Sequence, residues 1–203
     1  MSTAWQTASL GDVCDLITRG IAPNYVESGG VLVLNQKCVR GHAINFDLGR
    51  RHDERKKRVA TDRFIQLGDG LINSTGTGTL GRVAQVRTVP PEPTTVDTHV
   101  SIVRPKDGLF YRDYFGYALQ FIEPEFVASG EGASGQTELS RQAINAKRIA
   151  FPTSREEQRR IVAILDETFE AVSMAVGNAE EKIAMLGELK ATLLSNAFNG
   201  KLR

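Results

Sequence analysis

The sequence predicts an α+β protein in which a mixed, largely β domain (residues 1–153) precedes a long C-terminal coiled-coil helix (residues 154–203). Short apolar or alternating runs bounded by Gly, Pro and Asn dominate the first part of the chain, as is typical of strands. After residue 154 the apolar residues instead recur every seven positions, which indicates a coiled coil. A chain of 203 residues can bury a core in one domain and still carry such an appendage.

Within the first domain, short runs predict strands and one longer run predicts a helix. The strand-like runs are VLVLNQKCV (31–39), DGLINS (69–74), RVAQVR (82–87) and HVSIVRP (99–105), and the helix-like run is YRDYFGYALQFI (111–122). Irregular stretches lie between them at 40–62, 88–97 and 129–140. Loops of this length inside a compact domain usually carry function, so we expect binding residues there.

The glycine-rich stretch NSTGTGTLGRVAQVR (73–87) contains Gly76, Gly78 and Gly81 in the spacing of a dinucleotide-binding motif. A phosphate cradle needs a helix N-terminus after the loop, whereas the residues that follow Gly81 alternate as a strand does. Arg82 also stands where a P-loop would have lysine. We therefore predict a hairpin loop, which is either a plain tight turn or one whose hydroxyls bind phosphates or base edges.

The C-terminal helix has a recognisable start and one apolar seam. Ser154 and Glu157 have the spacing of a capping box, and Pro152 keeps the preceding chain extended. The seam consists of Val162, Leu165, Phe169, Val172, Val176, Ile183, Leu186 and Leu193. At ~1.5 Å per residue, the 36 residues from Val162 to Ala197 form a rod about 54 Å long, too long to pack wholly on the first domain. We predict that the seam packs against a second helix; the alternative is a helix folded back on its own domain.

Composition and motifs argue against several classes of function. No apolar run is long enough to cross a bilayer, so no membrane role is expected. The three histidines have no metal-ligand spacing, and no catalytic motif is present, so neither a metal, a cofactor nor an enzymatic activity is expected. Cys14 and Cys38 are expected to be core thiols in a cytoplasmic protein.

Basic charge is concentrated locally although the formal net charge is only +1. Residues 50–58 hold six basic against two acidic side chains, as on a surface that faces phosphates or, alternatively, in a solvated loop.

Several segments together resemble one half of a type I restriction-modification specificity subunit. They are WQTASLGDVCDLITRGIAP (5–23), LINSTGTGTLGRVAQV (71–86), GQTELSRQAINAKRIAFPTSREEQRRIVAILDE (135–167) and LKATLLSNAFNGKL (189–202). The most diagnostic of these is the Ile-x-Phe-Pro strand that runs into a long helix. The resemblance implies a target recognition domain followed by a conserved spacer helix. Full subunits of this family carry two such units, whose helices pack antiparallel.

The resemblance also implies partners: double-stranded DNA, modification (adenine methyltransferase) subunits, and a translocating restriction subunit. Catalysis belongs to those partners. Because this chain has one recognition domain and one helix, it is either a half-subunit that homodimerises through the helix or a portion of a longer chain. A homodimer would require an interrupted palindrome as its target.

Recognition residues vary within the family, so the resemblance does not identify them in this chain. We therefore select candidates for DNA contact from the basic residues and the irregular loops. The candidates for the backbone are Lys37, Arg40, Arg50, Arg51, Arg55, Lys56, Lys57 and Arg58. The candidates for base edges are Gln36, Arg40, Thr75, Thr77, Thr79 and Gln136. Three alternatives remain: a helical scaffold without DNA readout, a specificity module of a fused restriction-modification enzyme, and a nucleotide-dependent enzyme that uses the glycine loop.

Overall fold

The computed structural model describes residues 4–130 and 138–201. They form two compact units, Met1–Arg159 and Arg160–Arg203. The predicted architecture, a mixed sheet domain followed by a long helix, is confirmed.

The strands are β1 (Trp5–Ser9), β2 (Cys14–Arg19), β3 (Tyr25–Val26), β4 (Val31–Leu34), β5 (Val39–Arg40), β6 (Ala43–Ile44), β7 (Arg50–His52), β8 (Gly70–Asn73), β9 (Val83–Gln85), β10 (Thr94–Val96), β11 (Val100–Pro105) and β12 (Arg148–Pro152). The α-helices are α1 (Leu10–Val13), α2 (Arg112–Phe121), α3 (Glu123–Ala128), α4 (Arg141–Ala146) and α5 (Arg155–Phe198), and short 3-10 helices cover Phe46–Leu48 and Thr61–Arg63.

Two four-stranded sheets build the first unit. One has the order β2-β11-β8-β9 and is antiparallel throughout. The other has the order β10-β4-β7-β3, in which β10 and β4 run parallel and the remaining pairs run antiparallel. The pair β1-β12 places Trp5 opposite Pro152, so the two ends of this unit are joined by one antiparallel ladder.

Strands β4 and β8 are buried along their whole length, which explains why their sequences are almost continuously apolar. Leu34, Leu71 and Ile102 from both sheets belong to one buried cluster. Cys14 and Cys38 are free and buried, as predicted. Burial raises the pKa of the Cys14 thiol to about 12, so this thiol stays protonated and unreactive near neutral pH.

The helix predicted over 111–122 is present as α2. Phe110, just before it, packs against Phe115 and Phe151 with ring centroids 5.2 Å and 4.8 Å apart. The fully buried Gln158 lies in the first turn of α5. Its Oε1 accepts a hydrogen bond from the Tyr111 N–H at 2.6 Å, and its Nε2 donates to the Pro152 carbonyl at 2.9 Å. These bonds connect the start of α5 to the segments that precede α2 and end β12.

The run 31–39, predicted as one strand, is two strands separated by a turn at residues 35–38. The Asn35 side-chain oxygen accepts the Lys37 N–H at 2.8 Å, and the Asn35 carbonyl accepts the Cys38 N–H at 2.9 Å. An asparagine that bonds to the backbone two residues later forms an Asx turn, which reverses the chain. The sequence resembles one continuous strand because Cys38 and Val39, after the turn, are again buried in the core.

The stretches predicted as irregular contain short strands, so that prediction was wrong in part. β6 and β7 lie within 40–62, and β10 lies within 88–97. The sequence did not indicate β10 because Pro90, Pro91 and Pro93 precede it, and prolines usually interrupt strands. Residues Thr94–Val96 nevertheless pair with β4 directly after the last proline. β10 is the edge strand of its sheet, where a preceding proline is tolerated.

The second unit consists of α5 beyond Arg159. At the start of the helix, the Glu157 N–H donates to the Ser154 Oγ at 3.3 Å, the first half of the predicted capping box. Among the described residues, no helix has both the length and the apolar character needed to span a membrane.

Candidate nucleic-acid interface

An open cleft of about 630 Å³ brings several predicted DNA-contacting residues together. Its lining is Gln36, Lys37, Cys38, Arg40, Ala43, Ile44, Asn45, Leu48, Thr79 and Arg82. The cleft thus brings the 35–38 turn and the adjoining β5-β6 hairpin together with the glycine loop, which lies more than 30 residues later in the sequence. Its amide, ammonium and guanidinium groups are of the kinds that bind base edges and phosphates.

The β5-β6 hairpin forms one wall of the cleft. Gly41 and His42 have φ values of 57° and 60°, as in a two-residue type I′ turn. Positive φ is unfavourable for histidine, but the His42 Nε2 lies 3.2 Å from the Glu123 Oε2. The same Glu123 oxygen accepts the Val83 N–H at 3.0 Å. Glu123 therefore fastens the tip of the hairpin to β9 and so fixes the wall that carries Arg40.

The glycine loop joins β8 to β9 as a hairpin, as predicted, and a strand rather than a helix follows it. Gly76, Gly78 and Gly81 all have positive φ. A side chain at Gly81 would also meet the Val127 backbone nitrogen at 2.8 Å. These glycines are therefore required by the shape of the hairpin and its contact with α3. The loop offers no helix N-terminus to a phosphate, which argues against the nucleotide-binding alternative.

The threonines of the glycine loop differ in what their hydroxyls do. Thr79 Oγ1 donates within the loop to the carbonyls of Thr75 and Gly76, both at 3.2 Å. Thr75 Oγ1 lies 2.5 Å from the His99 Nδ1. Thr77 is exposed at the tip. Gln136 lies outside the described residues. Of these candidates only Thr79 lines the cleft, and its donor capacity is already used.

His99 is itself held by a buried carboxylate. The His99 N–H donates to the Asp97 Oδ1 at 2.9 Å, and the Tyr25 hydroxyl donates to the Asp97 Oδ2 at 3.4 Å. Burial raises the pKa of Asp97 above its ordinary value. Asp97 is only 3% exposed, so it is too buried to bind a ligand. Its role is structural: it positions His99, whose ring contacts Thr75 of the glycine loop.

Arg82 is a cleft residue that the sequence reasoning missed. Its Nη2 donates to the Gly78 carbonyl at 2.8 Å, which holds the guanidinium across the loop. The sequence did offer a signal, since Arg82 occupies the lysine position of the near-match to a P-loop. Asn45 was also missed; its side chain caps a 3-10 helix by accepting the Asp47 N–H at 3.0 Å.

The basic segment 50–58 lies apart from the lining of the cleft. Arg50 and Arg51 belong to β7 rather than to a loop. Arg51 forms a two-pronged ion pair with Glu92, and this hydrogen bonding holds the pKa of Glu92 below its ordinary value. The Arg50 guanidinium lies 3.4 Å from the centroid of the Tyr25 ring. Both arginines are engaged within the protein.

The other basic residues of the segment lie in a loop that the buried His52 side chain holds in place. His52 is fully buried; its Nδ1 accepts the Asn24 N–H at 2.9 Å, and its Nε2 lies 2.6 Å from the Lys57 carbonyl. The imidazole is thus the Nε2–H tautomer, which joins the loop after β7 to the segment before β3. Arg55, Lys56, Lys57 and Arg58 are exposed, and Arg55 also pairs with Asp53 at 3.2 Å.

Along α5 the predicted seam is largely exposed. Phe169, Val172, Val176, Ile183, Leu186 and Leu193 are all exposed, Ile183 to 69%. Leu165 is half-buried. Val162 is only 3% exposed within this single chain, so its side chain is already covered and cannot offer a face to a second helix. The exposed seam therefore begins after Val162. In the described ranges, no group of three or more His, Cys, Asp or Glu side chains could hold a metal ion.

Comparisons with known proteins agree with this arrangement. The family model of the type I restriction modification DNA specificity domain matches residues 3–175. A solved chain from a type I R-M system is 25% identical, with a TM-score of 0.75, over 100% of this chain and 47% of that chain. The HsdS subunit from Thermoanaerobacter tengcongensis is 25% identical, with a TM-score of 0.66, over 100% of this chain and 46% of its own. No curated protein matches the sequence.

A third solved structure, the type I restriction-modification S subunit from M. genitalium, shows likeness of fold alone. It is 14% identical, with a TM-score of 0.56, over 85% of this chain and 41% of its own. The chain thus spans about half the length of the first two solved chains, 47% and 46%. Because the family model covers the sheet domain and the first part of α5, the chain belongs to the type I restriction modification DNA specificity domain family.

Proposed function

We propose that this protein reads DNA sequence for a type I restriction-modification system and has no catalytic activity of its own. The observation that carries the proposal is the cleft in which Gln36, Lys37 and Arg40 meet Arg82 of the glycine loop. Its amide and guanidinium groups are those that recognise base edges in the major groove. Exposed Lys56, Lys57 and Arg58 would supply contacts to the phosphate backbone.

The protein would act as a homodimer of half-subunits joined through α5. Two features support this: the exposed apolar seam from Phe169 to Leu193, and solved relatives of about twice the length, of which this chain covers 47% and 46%. Two recognition units related by a two-fold axis would read an interrupted palindrome, and the helices would set the gap between its halves. A second, different recognition unit would instead give an asymmetric bipartite target.

The dimer would bring methyltransferase subunits and a restriction subunit to that target in the cytoplasm. Adenine methylation and cleavage would belong to those partners. The formal net charge of +1 supports such a division, because a protein that clamped DNA alone would be expected to be more basic. The methyltransferase subunits would then supply much of the grip on the phosphates.

The test is a map of methylated adenines in the host genome with and without the gene for this chain. Loss of methylation at an interrupted palindrome supports the specificity role and the homodimer. Loss at an asymmetric bipartite motif supports the specificity role and replaces the homodimer by a pair of different recognition units. If every methylated motif survives while the methyltransferase remains active, the scaffold alternative replaces the proposal. A methyltransferase gene fused to a recognition domain nearby would identify the fused-enzyme alternative.

A further inference from the structure

The main chain of the 35–38 turn is held from outside as well as from within. Asn73, the last residue of β8, donates from its Nδ2 to the Gln36 carbonyl at 3.0 Å. The Asn35 N–H lies 3.4 Å from the Cys38 Sγ, in addition to the two bonds that form the turn. The backbone of Gln36 is thus fixed between a buried strand end and the core residue Cys38.

Only one of the two polar atoms of the Asn73 amide has a hydrogen-bond partner among the described residues. Its side chain is fully buried, and its Oδ1 has no hydrogen-bond partner among the described residues. A buried amide oxygen without a partner destabilises the fold, because it loses the hydrogen bonds that water gives it in the unfolded chain. Rotating the amide would not relieve the cost, because it would place Oδ1 against the Gln36 carbonyl. Buried polar groups without a partner are rare in folded proteins and occur mainly at functional sites, so we ascribe a functional role to the contact between Asn73 and Gln36.

The side chain of Gln36, in contrast to its main chain, is unengaged. It lines the cleft and is half-buried, and no hydrogen bond to its amide occurs within residues 4–130 and 138–201. Two other residues of the cleft differ in this respect. The Thr79 hydroxyl donates to the Thr75 carbonyl, and the Arg82 guanidinium donates to the Gly78 carbonyl. A fixed backbone with an unengaged amide lowers the ordering cost when a ligand binds.

A glutamine amide carries one donor and one acceptor that match the N6 amino group and N7 of adenine in the major groove. We infer, resting on the proposed DNA-reading function, that Gln36 reads an adenine at one position of the target and that Asn73 is its positioning residue. Asn73 would touch no DNA, because it is fully buried. It would act only by holding the turn from which Gln36 projects.

The first test uses a library of DNA duplexes with randomised target positions, bound by the protein together with its methyltransferase subunits. The wild type is expected to require an A·T pair at one position that Gln36→Ala makes about tenfold to hundredfold less selective, with the other positions unchanged. Gln36→Arg should move the preference at that position toward G·C, because arginine pairs with guanine O6 and N7. Since the Gln36 side chain makes no hydrogen bond within the described protein, both variants should fold. An unchanged preference in both would overturn the assignment.

The second test compares Asn73→Leu with Ser74→Ala in the same assay. Ser74 is the adjacent fully buried residue; its Oγ hydrogen-bonds to the Ser101 Oγ at 2.6 Å and to the Ile72 carbonyl at 3.3 Å, both outside the turn. Both variants should lower the melting temperature, but only Asn73→Leu should weaken selectivity at the Gln36 position while binding to non-target DNA is kept. Equal effects of the two variants on selectivity, or none, would refute the positioning role. A wild-type protein without any base preference would instead refute the proposed function.

Discussion

Arg51 and Glu92, 41 residues apart in the sequence, are joined by a two-pronged ion pair in which the Arg51 Nη2 donates to the Glu92 Oε1 at 2.8 Å. The pair ties β7 to the proline-rich stretch before β10. The basic segment 50–58 therefore has two parts with different roles. Arg50 and Arg51 are engaged within the fold, whereas Lys56 and Lys57 extend into solvent.

This division predicts how DNA binding responds to salt. Replacing Lys56 and Lys57 by glutamine should weaken binding to all DNA sequences alike. It should also reduce the slope of log K against log salt concentration by about 0.9 for each phosphate that the protein no longer neutralises. Binding constants measured at several salt concentrations, with the methyltransferase subunits present, give that slope.

Arg51→Gln is the control, compared per charge removed, since it takes one positive charge from the same segment and the lysine variant takes two. Its main effect should be lower stability, with a slope close to that of the wild type. An unchanged slope in the double-lysine variant would remove Lys56 and Lys57 from the DNA interface. A slope that falls most in Arg51→Gln would mean that its ion pair with Glu92 opens when DNA binds.

The same pair predicts a pH dependence of stability. Hydrogen bonding from Arg51 lowers the pKa of Glu92 in the folded protein. A carboxyl group with a lowered folded-state pKa adds stability above its unfolded pKa, about 4.3 for glutamate, and loses it as the pH falls through the folded value. Glu92→Gln should therefore be less stable than the wild type at pH 7, and the difference should shrink below about pH 4. Urea unfolding at both pH values measures it; a constant difference would contradict the assigned cause.

The sequence predicted the elements whose signals are local. Alternating or apolar runs located β8, β9 and β11, and the seven-residue repeat located α5. The hairpin nature of the glycine loop also followed from a local pattern, the alternation after Gly81. These features depend on neighbours along the chain, so one sequence contains enough information to identify them.

Features that depend on distant partners were missed. Asp69 has a local role in a turn, since its Oδ2 accepts the Gln66 N–H at 2.8 Å. It also forms a buried ion pair with Arg104, 35 residues later, which no local pattern reveals. The cleft was missed for the same reason, because Gln36 and Arg82 line it together only after the 35–38 turn and the glycine loop are brought side by side by the fold.

Asp69→Asn tests the importance of this buried pair. Arg104 donates from Nε and Nη2 to the two carboxylate oxygens at 2.8 Å and 2.7 Å, and the Asp69 and Arg104 side chains are 2% and 17% exposed. Removing one partner of a buried pair leaves an uncompensated charge, so the free energy of unfolding should fall by about 3–5 kcal/mol. Asp107→Asn, at an exposed position on the same surface, should change it by less than about 0.5 kcal/mol. Equal effects of the two substitutions in urea unfolding would show that the pair adds no stability.

Self-association through the helix is tested by a charge placed on or off the seam. Ile183 lies in the seam and Met185 does not, and the two are 69% and 59% exposed. Burying an isoleucine contributes about 1.5–3 kcal/mol, so Ile183→Asp should raise the dimer Kd at least tenfold. Met185→Asp adds the same charge to the same helix and should leave the Kd nearly unchanged. Sedimentation equilibrium measures both constants. Equal changes would mean that the seven-residue repeat does not define the interface, and a monomeric wild type would require that a different recognition unit supplies the second helix.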